Sequence, residues 1–216
     1  MAVENSKIAH LRKDYTLNGL GEEDILNNPT DQFRKWFEEA LSAEVTEPNG
    51  MFLSTLSPDG YPQGRIVLLK DVDEQGFTFY TNYKSHKGID LSAHPLAALT
   101  FWWAELERQV RIVGKVEKVT EAESDAYFAI RPRGSQLGAW VSSQSEVIAN
   151  REVLSDKLAT FEKQFADQPV PRPPHWGGYR VIPHEIEFWQ GRPDRLHDRI
   201  RYHYLNHEWK IERLSP

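Results

Sequence analysis

Arg65 and Lys70 bracket four apolar residues, Ile66-Val67-Leu68-Leu69, in a segment that otherwise reads as a buried strand. Side chains alternate along a regular strand, so two residues five apart point to opposite faces. Arg65 and Lys70 can serve one site only at a bend, at a barrel edge, or where a second chain supplies a wall. A strand whose two ends reach solvent gives the same pattern. Ser85-His86-Lys87 forms a second cluster, just after Tyr80-Thr81-Asn82. A hydroxyl and a cation at a helix start, beside free backbone N–H groups, suit a phosphate. An ordinary serine cap with an exposed lysine looks the same.

Tyr127 and Arg131 stand four apart on one face of a helix end, and Pro132 breaks that helix before Ser135. A phenol, a guanidinium and a hydroxyl can converge on one phosphate at such a break. A capped helix–turn–helix with surface arginines is the plainer reading. In Arg195-Leu196-His197-Asp198-Arg199, an extended backbone would put Arg195, His197 and Arg199 on one face. Three cations so placed repel each other unless an anion or a buried carboxylate offsets them. A solvated basic edge strand is the alternative. Trp189 and Gln109, with Gln144-Ser145, offer an aromatic wall and amide hydrogen bonds to a planar heterocycle. The residues alone point to a binder of one or two phosphorylated, aromatic small molecules.

Other chemistries find no support. There is no G-x-x-x-x-G-K-[ST] loop, no G-x-G-x-x-G after a strand, no H-E-x-x-H and no G-x-S-x-G, and the eight His have no metal spacing. The absence of cysteine excludes disulfides, iron–sulfur clusters and thiol nucleophiles. With 26 Lys and Arg against 32 Asp and Glu, the net charge of −6 argues against a nucleic-acid binder. No apolar run approaches the ~20 residues of a membrane helix, and residues 1–15 carry no hydrophobic signal segment. These features imply a soluble, cytoplasmic protein. A chain of 216 residues and 25.0 kDa folds to roughly 10,000 Å² of surface, burying about 70% of its extended area.

The elements that must position these residues follow from punctuation and period. Residues 1–27 read as a mobile N-terminal arm, and 28–216 as a single domain. Asn28-Pro29 starts a helix whose Phe33, Trp36, Phe37, Ala40 and Leu41 form one apolar stripe, stopped at Pro48-Asn49-Gly50. Strands are predicted over 51–56, 63–71, 77–80, 97–103 and 108–119, with a short helix over 85–93. The Thr120–Glu123 capping box opens a helix to about residue 130, and further helices cover 136–141 and 150–165. A proline-rich loop over 169–178 precedes strands at 179–182, 185–189, 199–204 and 209–214. Strands in hairpin order with helices inserted late imply an antiparallel barrel or sandwich with helical additions.

Six motifs, in order, resemble the pyridoxine/pyridoxamine 5′-phosphate oxidase family. They are Arg65-Ile66-Val67-Leu68-Leu69-Lys70, Phe79-Tyr80-Thr81-Asn82, Glu107-Arg108-Gln109-Val110, Arg131-Pro132-Arg133-Gly134-Ser135-Gln136, Glu187-Phe188-Trp189-Gln190-Gly191 and Arg195-Leu196-His197-Asp198-Arg199. The likeness runs from Ile8 to Leu214. It implies a mainly β fold, an antiparallel FMN-binding split β-barrel of Greek-key type, forming a homodimer with FMN between the chains. By this resemblance FMN is held by Arg65, Ile66, Val67, Leu68, Leu69 and Lys70, by Tyr80, Thr81, His86 and Lys87, and by Gln109, Gln144, Ser145, Trp189 and Arg199. The substrate phosphate falls to Lys70, Tyr127, Arg131 and Ser135, while Arg195 and His197 lie against the substrate ring as the catalytic pair. Arg12 and Tyr15 match positions that close over the substrate. The family commonly has Arg where this chain has His86, which removes a permanent charge from the FMN phosphate site.

The activity so implied is oxidation of pyridoxine 5′-phosphate and pyridoxamine 5′-phosphate to pyridoxal 5′-phosphate. Hydride passes from C4′ to the flavin N5, and O₂ reoxidises the flavin to give H₂O₂. No membrane, nucleic acid or metal enters this reading. A flavin or pyridoxal-phosphate carrier without turnover is one alternative, but it would need neither the substrate-phosphate set nor the Arg195/His197 pair. A flavin reductase on the same barrel would need a nicotinamide site, for which no feature stands out.

Overall fold

The structure, a computed structural model, describes residues 10–11, 13–17 and 19–216. Most of the predicted arm's first half, with Arg12, lies outside them. Helix α1 spans Pro29–Ser42, with the Asn28 side chain accepting the Thr30 N–H at 2.8 Å and Pro29 in the first turn. It stops short of Pro48 because Glu44 adopts a left-handed φ of 52°, letting the Val45 N–H close on the Ala40 carbonyl at 3.0 Å. Phe33, Trp36 and Ala40 of the predicted stripe are buried, whereas Leu41 at its edge is 55% exposed.

Nine strands follow: β1 (Gly50–Leu56), β2 (Pro62–Leu68), β3 (Asp71–Val72), β4 (Phe77–Asn82), β5 (Leu96–Trp103), β6 (Arg108–Lys118), β7 (Trp176–Gln190), β8 (Asp198–Leu205) and β9 (Glu208–Arg213). Helices α2 (His86–Ala93), α3 (Glu121–Ala129), α4 (Arg133–Val141) and α5 (Glu152–Gln164) interrupt them. Hydrogen bonding orders the sheet β2-β1-β5-β6-β7-β4-β3, with β8 on β7 and β9 on β8. The β1–β2, β1–β5, β3–β4, β4–β7 and β8–β9 pairs are antiparallel. This is the curled antiparallel sheet of a split barrel.

Three expectations change. The strand predicted over 63–71 breaks after Leu68. The two strands predicted over 179–189 are one, β7, which starts at Trp176 inside the predicted proline loop. Helix α4 begins at Arg133 because the Pro132 carbonyl accepts the first N–H groups, from Ser135 and Gln136.

The chain forms two compact units. One takes Met1–Pro48, Trp102–Val110 and Ile186–Pro216; the other takes Asn49–Phe101 and Arg111–Glu185. In the first, Trp36 of α1 meets Phe188 edge-on at 5.1 Å, and Phe188 meets Tyr202 at 5.5 Å. Asn206 and His207, both at positive φ, make the two-residue turn that the twist of the β8–β9 hairpin favours. In the second, Met51, Leu53, Phe77, Phe79, Leu99, Ile112 and Val181 are fully buried. A cluster of Phe128, Leu137, Phe165, Val170 and Trp176 packs the helices.

Candidate active site

A cavity of about 780 Å³ opens in the second unit. Arg65, Ile66, Val67, Leu68 and Lys70 all line it. The alternation problem is solved by a change of partner strand. Up to Leu68, β2 pairs with β1, and the Leu69 N–H still reaches the Asn49 carbonyl at 2.8 Å. The Lys70 N–H instead donates to Thr78 of β4 at 2.9 Å. That bend brings Lys70 to the cavity that Arg65 faces and leaves Leu69 buried. Arg65 lies opposite Leu53 on the inward face, where its Nη1 donates to Thr55 Oγ1 at 2.5 Å and its Nη2 pairs with Asp90 at 3.4 Å.

Helix α2 contributes its N-terminus. Ser85 caps it by accepting the Gly88 N–H. Lys87 Nζ donates to Ser85 Oγ at 3.3 Å and to Gln144 Oε1 at 3.0 Å, and Thr81 donates to the same Gln144 oxygen at 3.1 Å. Ser145, at a left-handed φ of 76°, accepts the His86 N–H at 3.3 Å, while the His86 side chain is exposed. Burial, then the charge of Arg65, depresses the Lys87 pKa, with Asp90 opposing. Two cations crowded together in this way favour an anionic guest.

The other wall is aromatic. Tyr80 stacks on Tyr127 at 4.0 Å and on Trp176 at 5.5 Å, and burial pushes the Tyr80 hydroxyl up to about 12. Gly178 makes room for this stack, since a Cβ there would stand 2.8 Å from Tyr80 Cε1. The Arg131 guanidinium lies 4.4 Å over Trp176, and its Nη1 is buried without a hydrogen-bond partner. Burial lowers the Arg131 pKa. Ser135 stands in the first turn of α4, on the same cavity. Among the described lining residues there are four cations, Arg65, Lys70, Lys87 and Arg131, and no carboxylate. The set fits phosphorylated guests: charged donors are left open, and the orphaned Arg131 nitrogen needs an acceptor.

The first unit holds the remaining predicted residues. Tyr15 meets Trp189 and His197 edge-on, each at 5.7 Å, and His197 lies 4.6 Å from Trp189. Gln109 is half-buried on β6. The expectation of an extended 195–199 stretch fails. Asp194 and Arg195 take φ of 54° and 62° in a turn, and β8 begins only at Asp198. Arg195, exposed, is therefore not in line with His197 and Arg199 on one strand face. A buried carboxylate does offset part of the charge: Glu187 takes Arg199 Nε at 2.8 Å and Nη2 at 3.2 Å, and Arg199 Nη1 donates to the Ser215 carbonyl at 2.8 Å. His197 Nδ1 accepts the Arg192 N–H at 3.1 Å, so the neutral ring carries its proton on Nε2. Burial, then Arg195, lowers its pKa. His197 thus offers an N–H donor from Nε2.

Sequence reasoning missed Trp176, Thr55 and Asp90. Trp176 sat in a proline-rich stretch that read as loop; the Gly177-Gly178 pair after it was the available signal of close packing. Thr55 and Asp90 carry no local signal, because only folding sets them beside Arg65.

Residues 37–165 match the family model described as pyridoxamine 5′-phosphate oxidase, and residues 176–216 match that of the pyridoxine 5′-phosphate oxidase C-terminal dimerisation region. A Nostoc sp. protein named pyridoxine/pyridoxamine 5′-phosphate oxidase is 63% identical over 97% of this chain and 98% of its own. One of that name from Cupriavidus necator is 54% identical over 98% and 100%. The structure of PhzG from Burkholderia lata, in complex with tetrahydrophenazine-1-carboxylic acid, superposes with a TM-score of 0.87 at 31% identity, covering 93% of this chain and 99% of that one. A pyridoxamine 5′-phosphate oxidase-related, FMN binding protein from Nostoc punctiforme shares the fold, with a TM-score of 0.70 at 17% identity over 85% and 97%. With the family model spanning well over half its length and relatives this similar end to end, the chain belongs to the pyridoxamine 5′-phosphate oxidase family.

Proposed function

We propose that this chain is an FMN-dependent oxidase that converts pyridoxine 5′-phosphate and pyridoxamine 5′-phosphate to pyridoxal 5′-phosphate. The observation that carries the reading is the cavity of the second unit, with four cations, no carboxylate and one orphaned guanidinium nitrogen among its described lining residues. Its cations fall into two sets. Arg65 and Lys87, with Thr81, Gln144 and Ser145 nearby, would hold the flavin phosphate. Lys70, Tyr127, Arg131 and Ser135 would hold the substrate phosphate, with Arg131 donating its free N–H. When bound, FMN supplies a two-electron acceptor that takes hydride from C4′ and is reoxidised by O₂, giving H₂O₂.

The protein's own part is positioning and charge. Gln109, Trp189, Arg195, His197 and Arg199 keep the roles that the family motifs assign. His197, protonated on Nε2 in its neutral form, would donate a hydrogen bond to the substrate rather than remove a proton through that nitrogen. Arg199 owes its orientation to Glu187. The dimerisation region over residues 176–216 supports a homodimer, and FMN bound between its two chains would account for the exposed Phe52, Ile66 and Leu96 on β1, β2 and β5.

The test is an absorption spectrum of the FMN-loaded protein, repeated after pyridoxine 5′-phosphate is added without oxygen. The flavin band should bleach and return with air. A band that persists would move the function to a carrier.

A further inference from the structure

Arg65 does not reach the cavity unaided. Asp90, on α2, is 3% exposed, and its carboxylate accepts from Thr55 Oγ1 at 2.6 Å. The Thr55 hydroxyl, itself buried on β1, accepts from Arg65 Nη1 at 2.5 Å, and Asp90 pairs with Arg65 Nη2 at 3.4 Å. Three elements thus close a ring of hydrogen bonds around one guanidinium. Asp90 also acts on Lys87, favouring its charged form against burial and the repulsion of Arg65. A buried carboxylate is costly to keep ionised, and an apolar pair of the same volume would serve packing as well. What the apolar pair could not do is fix two like charges side by side.

We propose that Asp90 and Thr55 are positioning residues for the flavin phosphate. They hold Arg65 on the cavity wall and supply a negative charge behind Arg65 and Lys87, so that both cations stay aimed at an anion. The inference rests on the flavin reading above and adds two residues outside the family motifs that carry it.

The experiment compares dissociation constants for FMN and for riboflavin, which lacks only the phosphate, in wild type and Asp90→Asn, by quenching of flavin fluorescence. FMN should bind on the order of 10- to 100-fold more weakly to the variant, with riboflavin unchanged. Thr55→Val should shift FMN in the same direction by less, and it decides the matter if Asp90→Asn shows no cooperative melt. Equal losses for both flavins would make the pair merely structural, and no loss for either would also overturn the proposal. A wild type that does not prefer FMN to riboflavin would instead overturn the flavin reading itself, and this inference with it.

Discussion

Arg131 carries a buried guanidinium nitrogen with no hydrogen-bond partner, held above the Trp176 ring. Such a group raises the energy of the free protein and becomes satisfied only when an acceptor arrives. Arg131→Met removes the unsatisfied donor together with the guanidinium's contact on the Trp176 face. The variant should stay within about 1 kcal/mol of wild type in thermal melts, because relief of the orphaned donor offsets loss of the cation–π contact. Its KM for pyridoxine 5′-phosphate should rise on the order of 100-fold while FMN affinity holds. A destabilised variant with unchanged KM would place Arg131 in the architecture instead. The Tyr127–Arg131–Ser135 spacing was readable beforehand, since a helix end and a proline fix where such residues point. The grouping of Arg195 with Arg199 was not, because two left-handed residues, Asp194 and Arg195, interrupt the strand that the alternation assumed.

Short elements are held by single buried polar groups. The segment 13–17 is tied down by Glu107, 3% exposed, which accepts the N–H groups of Thr16 at 2.9 Å and Leu17 at 3.2 Å and pairs with Lys13 at 3.3 Å. Gly191 leaves room for it, since a Cβ there would stand 2.7 Å from Tyr15 Cγ. This tether keeps Tyr15 against Trp189 and His197. Glu107→Ala should therefore release the segment, raising hydrogen exchange at Thr16 and Leu17 by on the order of 10-fold or more, with core strands unaffected. Unchanged exchange there would show that aromatic packing alone holds Tyr15. The sequence marked these residues as a mobile arm because they lack a period; an anchor some ninety residues away leaves no trace in local composition.

Assembly belongs to the whole molecule. Along β1, Phe52 and Leu56 face outward, with Ile66 of β2 opposite Phe52 and Leu96 at the start of β5 also exposed. Ile66 is 64% exposed. An apolar sheet face of this kind suits association with a second copy, in addition to the family's dimerisation region over residues 176–216. Phe52→Glu would bury an unpaired charge if a second copy covers this face. The dimer dissociation constant, read by sedimentation over a concentration series, should rise at least ~100-fold. A dimer of unaltered strength would locate the interface elsewhere. Among the described residues no helix is long and apolar enough to cross a membrane.

Local physics explains why so much was legible in advance. Caps, prolines and apolar periods specify a helix or a strand within a few residues, so the cap of α1, the capping box of α3 and the run of hairpins could be read directly. The cation clusters were legible too, because charge that interrupts an apolar run in an acidic chain needs a reason. Only the tertiary structure decided which cations meet. The change of partner strand at Leu69-Lys70 turns two opposed side chains to one cavity, and a tryptophan from a presumed loop becomes its aromatic floor. Thr55, Arg65 and Asp90 come from three elements, and Glu107 reaches residues far away in sequence. Contacts of that kind depend on where the backbone returns, and sheet pairing settles this over distances at which neighbouring residues carry no information.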